Sequence, residues 1–147
     1  MNKILIFYYS RTGNTEKMAK AVEEGAKKVD KVEVDLMYHI VLENLVDYAA
    51  IVVGVPTYHH DMTVGIKKLF EDAALKNINL KDKVGAAFGS YGWSGEAPKL
   101  VLEIMKKRFE MNIIDPPLHI KYVPDSAGLD KCREFGKKIA KTICAKE

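Results

Sequence analysis

The sequence ILIFYYSRTGNT, at residues 4–15, joins a continuous apolar run to a polar loop that contains Gly13. An unbroken apolar run such as Ile4 to Tyr9 is typical of a strand that is buried on both faces. After the loop, apolar residues recur at helical spacing with charged residues between them, namely Met18, Val22, Ala26 and Val29. The stretch therefore predicts a buried strand, a short polar loop and an amphipathic helix.

The same order of elements continues along the chain. Buried strands are predicted at residues 49–55 and 84–88, and an edge strand at 32–37, where apolar and acidic residues alternate. A last strand is predicted within residues 113–122, interrupted or begun late because of Pro116 and Pro117. Helical patterns separate these strands, and residues 40–46 form a short helix or turn. Strand and helix in regular succession predict an α/β fold: a doubly wound, five-stranded parallel sheet with helices on both faces, in three layers.

Length and composition favour a single domain, residues 1–147. The chain is 48% hydrophobic and 29% charged, which suits one core. Its net charge of +3 is too small to indicate a nucleic-acid partner. No apolar run reaches the roughly 18 residues of a membrane span, and no signal-peptide cleavage site follows the first strand. We expect no membrane association.

The two cysteines predict a reducing compartment. Cys132 and Cys144 lie on one helical pattern, so their spacing separates them by about 18 Å along the helix axis. A disulfide needs Cα atoms within about 7 Å, which excludes an intrachain bond. We therefore expect a cytoplasmic protein with two free thiols.

In a doubly wound sheet, ligands bind beyond the carboxyl ends of the strands, where the winding direction reverses. The loops to consider are residues 10–15, 56–62 and 89–96. The first of them carries short polar side chains, namely Ser10, Thr12, Asn14 and Thr15. It also opens a helix whose free N–H groups attract anions, so it predicts a phosphate site. The alternative is that Thr12 or Asn14 only caps the helix.

Two other nucleotide motifs are excluded for this loop. It lacks both the Gly-Lys-Ser/Thr of a P-loop and the Gly-x-Gly-x-x-Gly of a dinucleotide fold. A phosphotransfer receiver domain would need carboxylates at the ends of the first and third strands, and these ends have none.

The three loops together resemble those of a known family. SRTGNT at residues 10–15 resembles the phosphate loop of flavodoxins, which bind FMN. GVPTY at 54–58 and GSYGWSG at 89–95 resemble the two loops that hold the flavin ring in the flavodoxin domain of flavodiiron proteins. The similarity extends over nearly the whole chain, and the loop 89–95 with its following helix is its most specific part.

The resemblance implies three groups of cofactor-binding residues and no catalytic residue. The FMN phosphate would be surrounded by Ser10, Arg11, Thr12, Gly13, Asn14 and Thr15. One edge and face of the isoalloxazine would be lined by Pro56, Thr57, Tyr58 and His59. The other would be lined by Ser90, Tyr91, Gly92, Trp93 and Gly95. A core role for Trp93 is the alternative. His59, His60 and Asp61 are too few to form a metal site.

The activity implied by the resemblance is electron transfer by an FMN flavoprotein. The domain would shuttle one or two electrons between redox proteins, with a ferredoxin or a reductase as donor and an unidentified acceptor. Two alternatives remain open: an FMN-dependent NAD(P)H:quinone or flavin reductase, and a detached flavodoxin subunit of a flavodiiron-type complex.

Two departures from the family pattern lead to further expectations. Many flavodoxins are strongly acidic, whereas this chain is slightly basic. Its partner would therefore present an acidic or neutral patch, or would contact a local surface that the net charge does not reveal. The loop 56–62 contains no glycine, although several flavodoxins use one there to turn a peptide on reduction. We therefore expect the one-electron-reduced flavin to be less stabilised than in the members that have this glycine.

Overall fold

The computed structural model describes residues 2–10, 13–57, 64–92 and 95–145. Its strands are β1 (Asn2–Tyr8), β2 (Val32–Met37), β3 (Ala50–Gly54), β4 (Val84–Tyr91), β5 (Asn112–Ile113) and β6 (Leu118–Lys121). Its helices are α1 (Asn14–Lys27), α2 (Val64–Leu75), α3 (Glu96–Phe109) and α4 (Ser126–Ala145), with a 3₁₀ helix at Leu42–Asp47.

The strands form one sheet in the order β2-β1-β3-β4-β5, and β6 also pairs with β4. The pairings between these strands are all parallel. β5 pairs with the start of β4 and β6 with its end, so they are two pieces of one fifth strand position. The break falls at residues 114–117, which include Pro116 and Pro117. The predicted doubly wound parallel sheet is confirmed, with β2 at its edge and the last strand interrupted.

Alternate residues of the strands face two separate cores. Ile4 and Ile6 of β1 pack with α1 and α4 on one face of the sheet, whereas Leu5 packs with α2 and α3 on the other. This alternation follows from the two-residue period of a strand and gives the three layers. Within the described ranges, no helix has the length and apolar character that crossing a membrane requires.

Both cysteines are free thiols on α4, as predicted. Cys132 is buried in the core between α1 and α4, and this burial raises the pKa of its thiol to about 12. The Cys132 thiol therefore stays protonated near neutral pH and acts as an apolar core residue.

Asp125 fixes the start of α4. Its Oδ1 atom accepts a hydrogen bond of 2.7 Å from the N–H of Gly128, as an N-cap side chain does. Asp125 is therefore the N-cap of α4, and Ser126 is its first helical residue. Through this cap α4 begins close to the end of β6, at the same edge of the sheet as the three predicted loops.

Candidate functional site

A cleft lies at the carboxyl edge of the sheet, where β1, β3, β4 and β6 end. It has a volume of about 180 Å³ and is lined by Asn14, Pro56, Thr57, Ser90, Tyr91, Gly92 and Tyr122. Six of these seven residues were predicted from the sequence as cofactor-binding. The predicted residues Arg11, Thr12, Tyr58, His59 and Trp93, together with His60 and Asp61, lie outside the described residues.

A larger depression, of about 310 Å³, lies between α2 and α3 and includes Phe70 and Ile104 in its lining. It is less suited to be the site because the described residues of the three polar loops do not line it. The smaller cleft brings together the ends of several parallel strands and a helix N-terminus, which is where α/β folds bind their ligands.

The N-terminus of α1 points into this region without a side-chain cap. Gly13 occupies the N-cap position with φ of 90° and ψ of −6°, in the left-handed region. A β-carbon there would be strained, although, apart from its chain neighbours, no described residue has an atom within 4 Å of where it would stand. The Gly13 N–H donates to Ser10 Oγ at 3.0 Å, and the first helical bond runs from Lys17 N–H to the Gly13 carbonyl at 3.1 Å.

This geometry bears on the alternative that the loop serves only as a cap. Asn14 is the first helical residue and lies in the cleft, so it is not the N-cap. The N-cap residue, Gly13, has no side chain that could accept the helix N–H groups. The first turn can therefore donate these groups to an external anion, and the helix dipole favours negative charge at that position.

A buried hydrogen bond joins α1 to the end of β4. The hydroxyls of Thr15 and Ser90 lie 3.0 Å apart, and they are the only buried polar residues among those described, at 1% and 6% exposure. Buried hydroxyls require a partner. The Thr15–Ser90 pair therefore holds the first turn of α1 against the end of β4.

A second hydrogen bond joins the other two loops. The hydroxyl of Thr57, in the loop after β3, accepts a bond of 3.0 Å from the N–H of Ala97 in the first turn of α3. Gly95 is the N-cap of α3 and has no capping side chain, so Thr57 caps this helix from a distant part of the chain. The bond fixes the two walls of the cleft relative to each other.

Glu16 brings a negative charge into the first turn of α1. Its carboxylate accepts a hydrogen bond from the Tyr8 hydroxyl at 3.1 Å and forms an ion pair with Lys20 at 3.6 Å. Burial raises the pKa of Tyr8, and the hydrogen bond to Glu16 raises it further. Tyr8 and Lys20 thus hold this carboxylate in place at the start of the helix.

Tyr122 is a cleft residue that the sequence did not predict. It follows β6 with φ of 60°, and its N–H donates to the carbonyl of Tyr91 at 2.6 Å. Its side chain is 61% exposed and stands at the mouth of the cleft. Its position in the sequence could have identified it as a cleft residue. The loop after the last parallel strand reaches the same edge of the sheet as the three loops that were considered.

Comparisons with known proteins identify the family of this chain. The family model described as Flavodoxin matches residues 6–136. The chain belongs to the flavodoxin family. FMN is therefore its cofactor and electron transfer between redox proteins is its class of activity, which confirms what the resemblance implied.

Similar proteins occur both as single domains and as parts of longer chains. A solved archaeal flavodoxin is 38% identical with a TM-score of 0.88, over 97% of this chain and 99% of that one. The type A flavoprotein of Rhodobacter capsulatus is 37% identical over 93% of this chain but only 32% of its own length. The nitric oxide reductase of Moorella thermoacetica is 35% identical over 96% of this chain and 36% of its own. The chain thus spans about a third of the length of these two relatives.

The residues of the cleft fit FMN. The uncapped start of α1, with open space beside Gly13, suits a phosphate group. The cleft beside it combines aromatic rings, such as Tyr91 and Tyr122, with hydroxyls and a glycine-containing loop. A flat ring with one polar edge needs this combination of apolar surface and hydrogen-bonding groups.

Proposed function

We infer that residues 1–147 act as one FMN-binding domain, with the phosphate at the N-terminus of α1 and the flavin ring in the cleft. The observation that carries this inference is the uncapped start of α1 at Gly13, directly beside a cleft whose two walls are joined by the Thr57–Ala97 bond. The predicted binding residues Arg11, Thr12, Tyr58, His59 and Trp93 remain part of the proposed site by position in the sequence.

Each described residue has a physical task in this proposal. The N–H groups of Asn14 and Thr15 would donate to the phosphate, and the Thr15–Ser90 bond would hold them in place. Pro56 and Thr57 would line one side of the flavin, and Tyr91 and Gly92 the other. FMN, when bound, supplies the one- and two-electron redox chemistry, and the protein sets its binding, its orientation and its exposure to water.

The redox partners are proposed from chemistry alone. A ferredoxin or a reductase would supply electrons, and the acceptor would be a second redox protein with an acidic or neutral docking patch, because this chain carries a net charge of +3. We propose a cytoplasmic location, since Cys132 and Cys144 are both free thiols and suit a reducing compartment.

A second candidate is supported by the lengths of the relatives. The type A flavoprotein and the nitric oxide reductase contain this domain as about a third of a longer chain. The domain could accordingly serve as the flavodoxin subunit of a flavodiiron-type complex, passing electrons to a separate metal-containing subunit. Co-purification with such a subunit distinguishes this candidate from a free carrier. Rapid oxidation of NADPH by the purified protein alone would instead favour a quinone or flavin reductase.

The binding proposal is tested by comparing FMN with riboflavin, which lacks the phosphate. Both are titrated into the purified protein while flavin fluorescence is recorded. Two hydrogen bonds to a charged phosphate contribute about 1.5 kcal/mol each, so FMN should bind roughly 100-fold more tightly than riboflavin. Equal affinities, or no binding of FMN, would contradict the proposed site.

A further inference from the structure

A titratable residue, His119 of β6, lies beside the end of β4, which forms the inner wall of the cleft. β6 pairs with β4 so that His119 lies opposite Gly89 and Lys121 opposite Tyr91. The rings of His119 and Tyr91 meet edge to face, with centroids 6.0 Å apart and an interplanar angle of 72°. His119 therefore packs against Tyr91, which lines the cleft.

His119 also contacts the far end of the same segment. A β-carbon built on Gly95 would lie 3.1 Å from His119 Nδ1 and 3.4 Å from Tyr91 Cδ1. The imidazole thus leaves little room for a side chain at position 95. One ring therefore lies beside two residues of the loop 89–95, Tyr91 and Gly95.

The side of the ring that faces Gly95 suits the neutral imidazole better than the charged one. A neutral ring with its proton on Nε2 leaves Nδ1 without a hydrogen, whereas the protonated ring carries an N–H on both nitrogens. Protonation adds this hydrogen at Nδ1, the ring atom that lies 3.1 Å from the position of a β-carbon on Gly95. The charged ring therefore brings an additional N–H and a positive charge into a site that is already closely packed.

The electrostatic surroundings support the same preference. His119 is exposed as a residue, so protons reach it, but partial burial of its ring lowers its pKa below the ordinary value of 6.5. Two neighbouring groups bear on it: Glu96 of α3, whose charge opposes this shift, and Tyr91 of β4, whose ring it meets edge to face. Lys121 lies two positions along β6. A histidine with a lowered folded-state pKa costs stability as the pH falls below 6.5, so the neutral form is the one that fits the folded loop.

We propose that His119 is a positioning residue for the ligand cleft: its neutral imidazole holds Tyr91 and Gly95 of the loop 89–95 in the positions that suit FMN binding, and its protonation weakens binding. The proposal rests on the proposed function, because it concerns the affinity of the same site. Its first effect, however, is on the loop itself and can be measured without a ligand.

The first test uses the protein without FMN. The His119 ring protons, the amide shifts of Gly89 and Gly95, and the emission of Trp93, the single tryptophan of the chain, are followed from pH 8 to pH 5. We expect one common midpoint below 6.5. The amide and emission transitions should vanish in His119→Asn and persist in the control His39→Asn, which changes an exposed histidine beside Tyr38 instead. A transition that persists in His119→Asn would overturn the proposal.

The second test measures FMN affinity at pH 8 and pH 5.5. The phosphate of FMN titrates near pH 6 in its own right, so the ratio of the two dissociation constants is compared between wild type and His119→Asn. If FMN binding lowers the His119 pKa by one unit, the wild-type ratio should be larger by a factor of up to about five, because pH 5.5 is not far below both pKa values. Equal ratios would overturn the proposal.

A third variant separates a positioning role from a purely structural one. His119→Phe keeps an aromatic ring against Tyr91 and Gly95 but cannot ionise. It should bind FMN at pH 5.5 more tightly than wild type, with the same small pH ratio as His119→Asn. Should His119→Asn fail to fold, His119→Phe carries both tests. If no variant and no wild-type sample binds FMN at any pH, the proposed function fails, while the amide titration still decides whether His119 controls the loop.

Discussion

The hydrogen bond from Ala97 N–H to the Thr57 hydroxyl gives a direct test of how the cleft is held together. Replacing Thr57 by valine keeps the shape of the side chain and removes the acceptor. The Ala97 N–H lies in the first turn of α3, and Gly95, the N-cap, offers no substitute side chain. Losing such a cap costs about 1 kcal/mol in the free energy of unfolding.

The expected size of the effect can be stated for both stability and binding. In a chain of this length, 1 kcal/mol lowers the melting temperature by about 2–4 °C. The bond also fixes the loop that carries Thr57 against the start of α3. If FMN binding requires this loop to return to its place against α3, Thr57→Val also weakens FMN binding by up to about 1 kcal/mol. This corresponds to a dissociation constant about five times larger.

The assay is urea denaturation of the FMN-free protein, followed by titration with FMN. Thr57→Ser is the matched control, because it keeps the hydroxyl and should retain most of the wild-type stability and affinity. Finding that Thr57→Val unfolds at the same urea concentration as Thr57→Ser would refute the claim that this bond fixes the two walls.

Three further predictions concern the same edge of the sheet. Gly13→Ala should lower the unfolding free energy by about 1–2 kcal/mol through backbone strain alone, whereas Gly13→Asn should cost less; urea denaturation distinguishes them. Thr15→Val and Ser90→Ala should each cost about 1–3 kcal/mol by leaving a buried hydroxyl unpaired, and the double variant should cost clearly less than the sum; additive costs in a double-mutant cycle would mean that the hydroxyls are not coupled. Because the loop 56–62 has no glycine, an anaerobic redox titration should show little accumulation of the one-electron-reduced flavin, and its nearly complete accumulation would disprove this reasoning.

The features of the fold that depend on local sequence were predictable. Buried strands such as β3 are read from continuous apolar runs, and the interrupted last strand from Pro116 and Pro117. The polar composition of the loops, combined with the rule that ligands bind at the carboxyl ends of parallel strands, located the cleft. These inferences need only neighbouring residues and the chain order of the elements.

The contacts that assemble the site join residues far apart in the sequence. Thr57 bonds to Ala97, and Thr15 to Ser90, across different elements. No periodicity or motif signals such a pair, because each hydroxyl alone is compatible with solvent exposure. Tyr122 was missed for a related reason. Its position in the cleft follows from the pairing of β6 with the end of β4. Pro116 and Pro117 made that pairing hard to predict from the sequence.

The most direct test of the FMN site is a comparison of backbone amide shifts on adding FMN and on adding riboflavin. With FMN, the amides of Asn14 and Thr15 should shift strongly because they donate to the phosphate, and with riboflavin they should shift little. The amides of Tyr91 and Gly92 should respond to both ligands. If FMN binds but leaves the amides of Asn14 and Thr15 unchanged, the phosphate does not bind at the N-terminus of α1 and the account is contradicted.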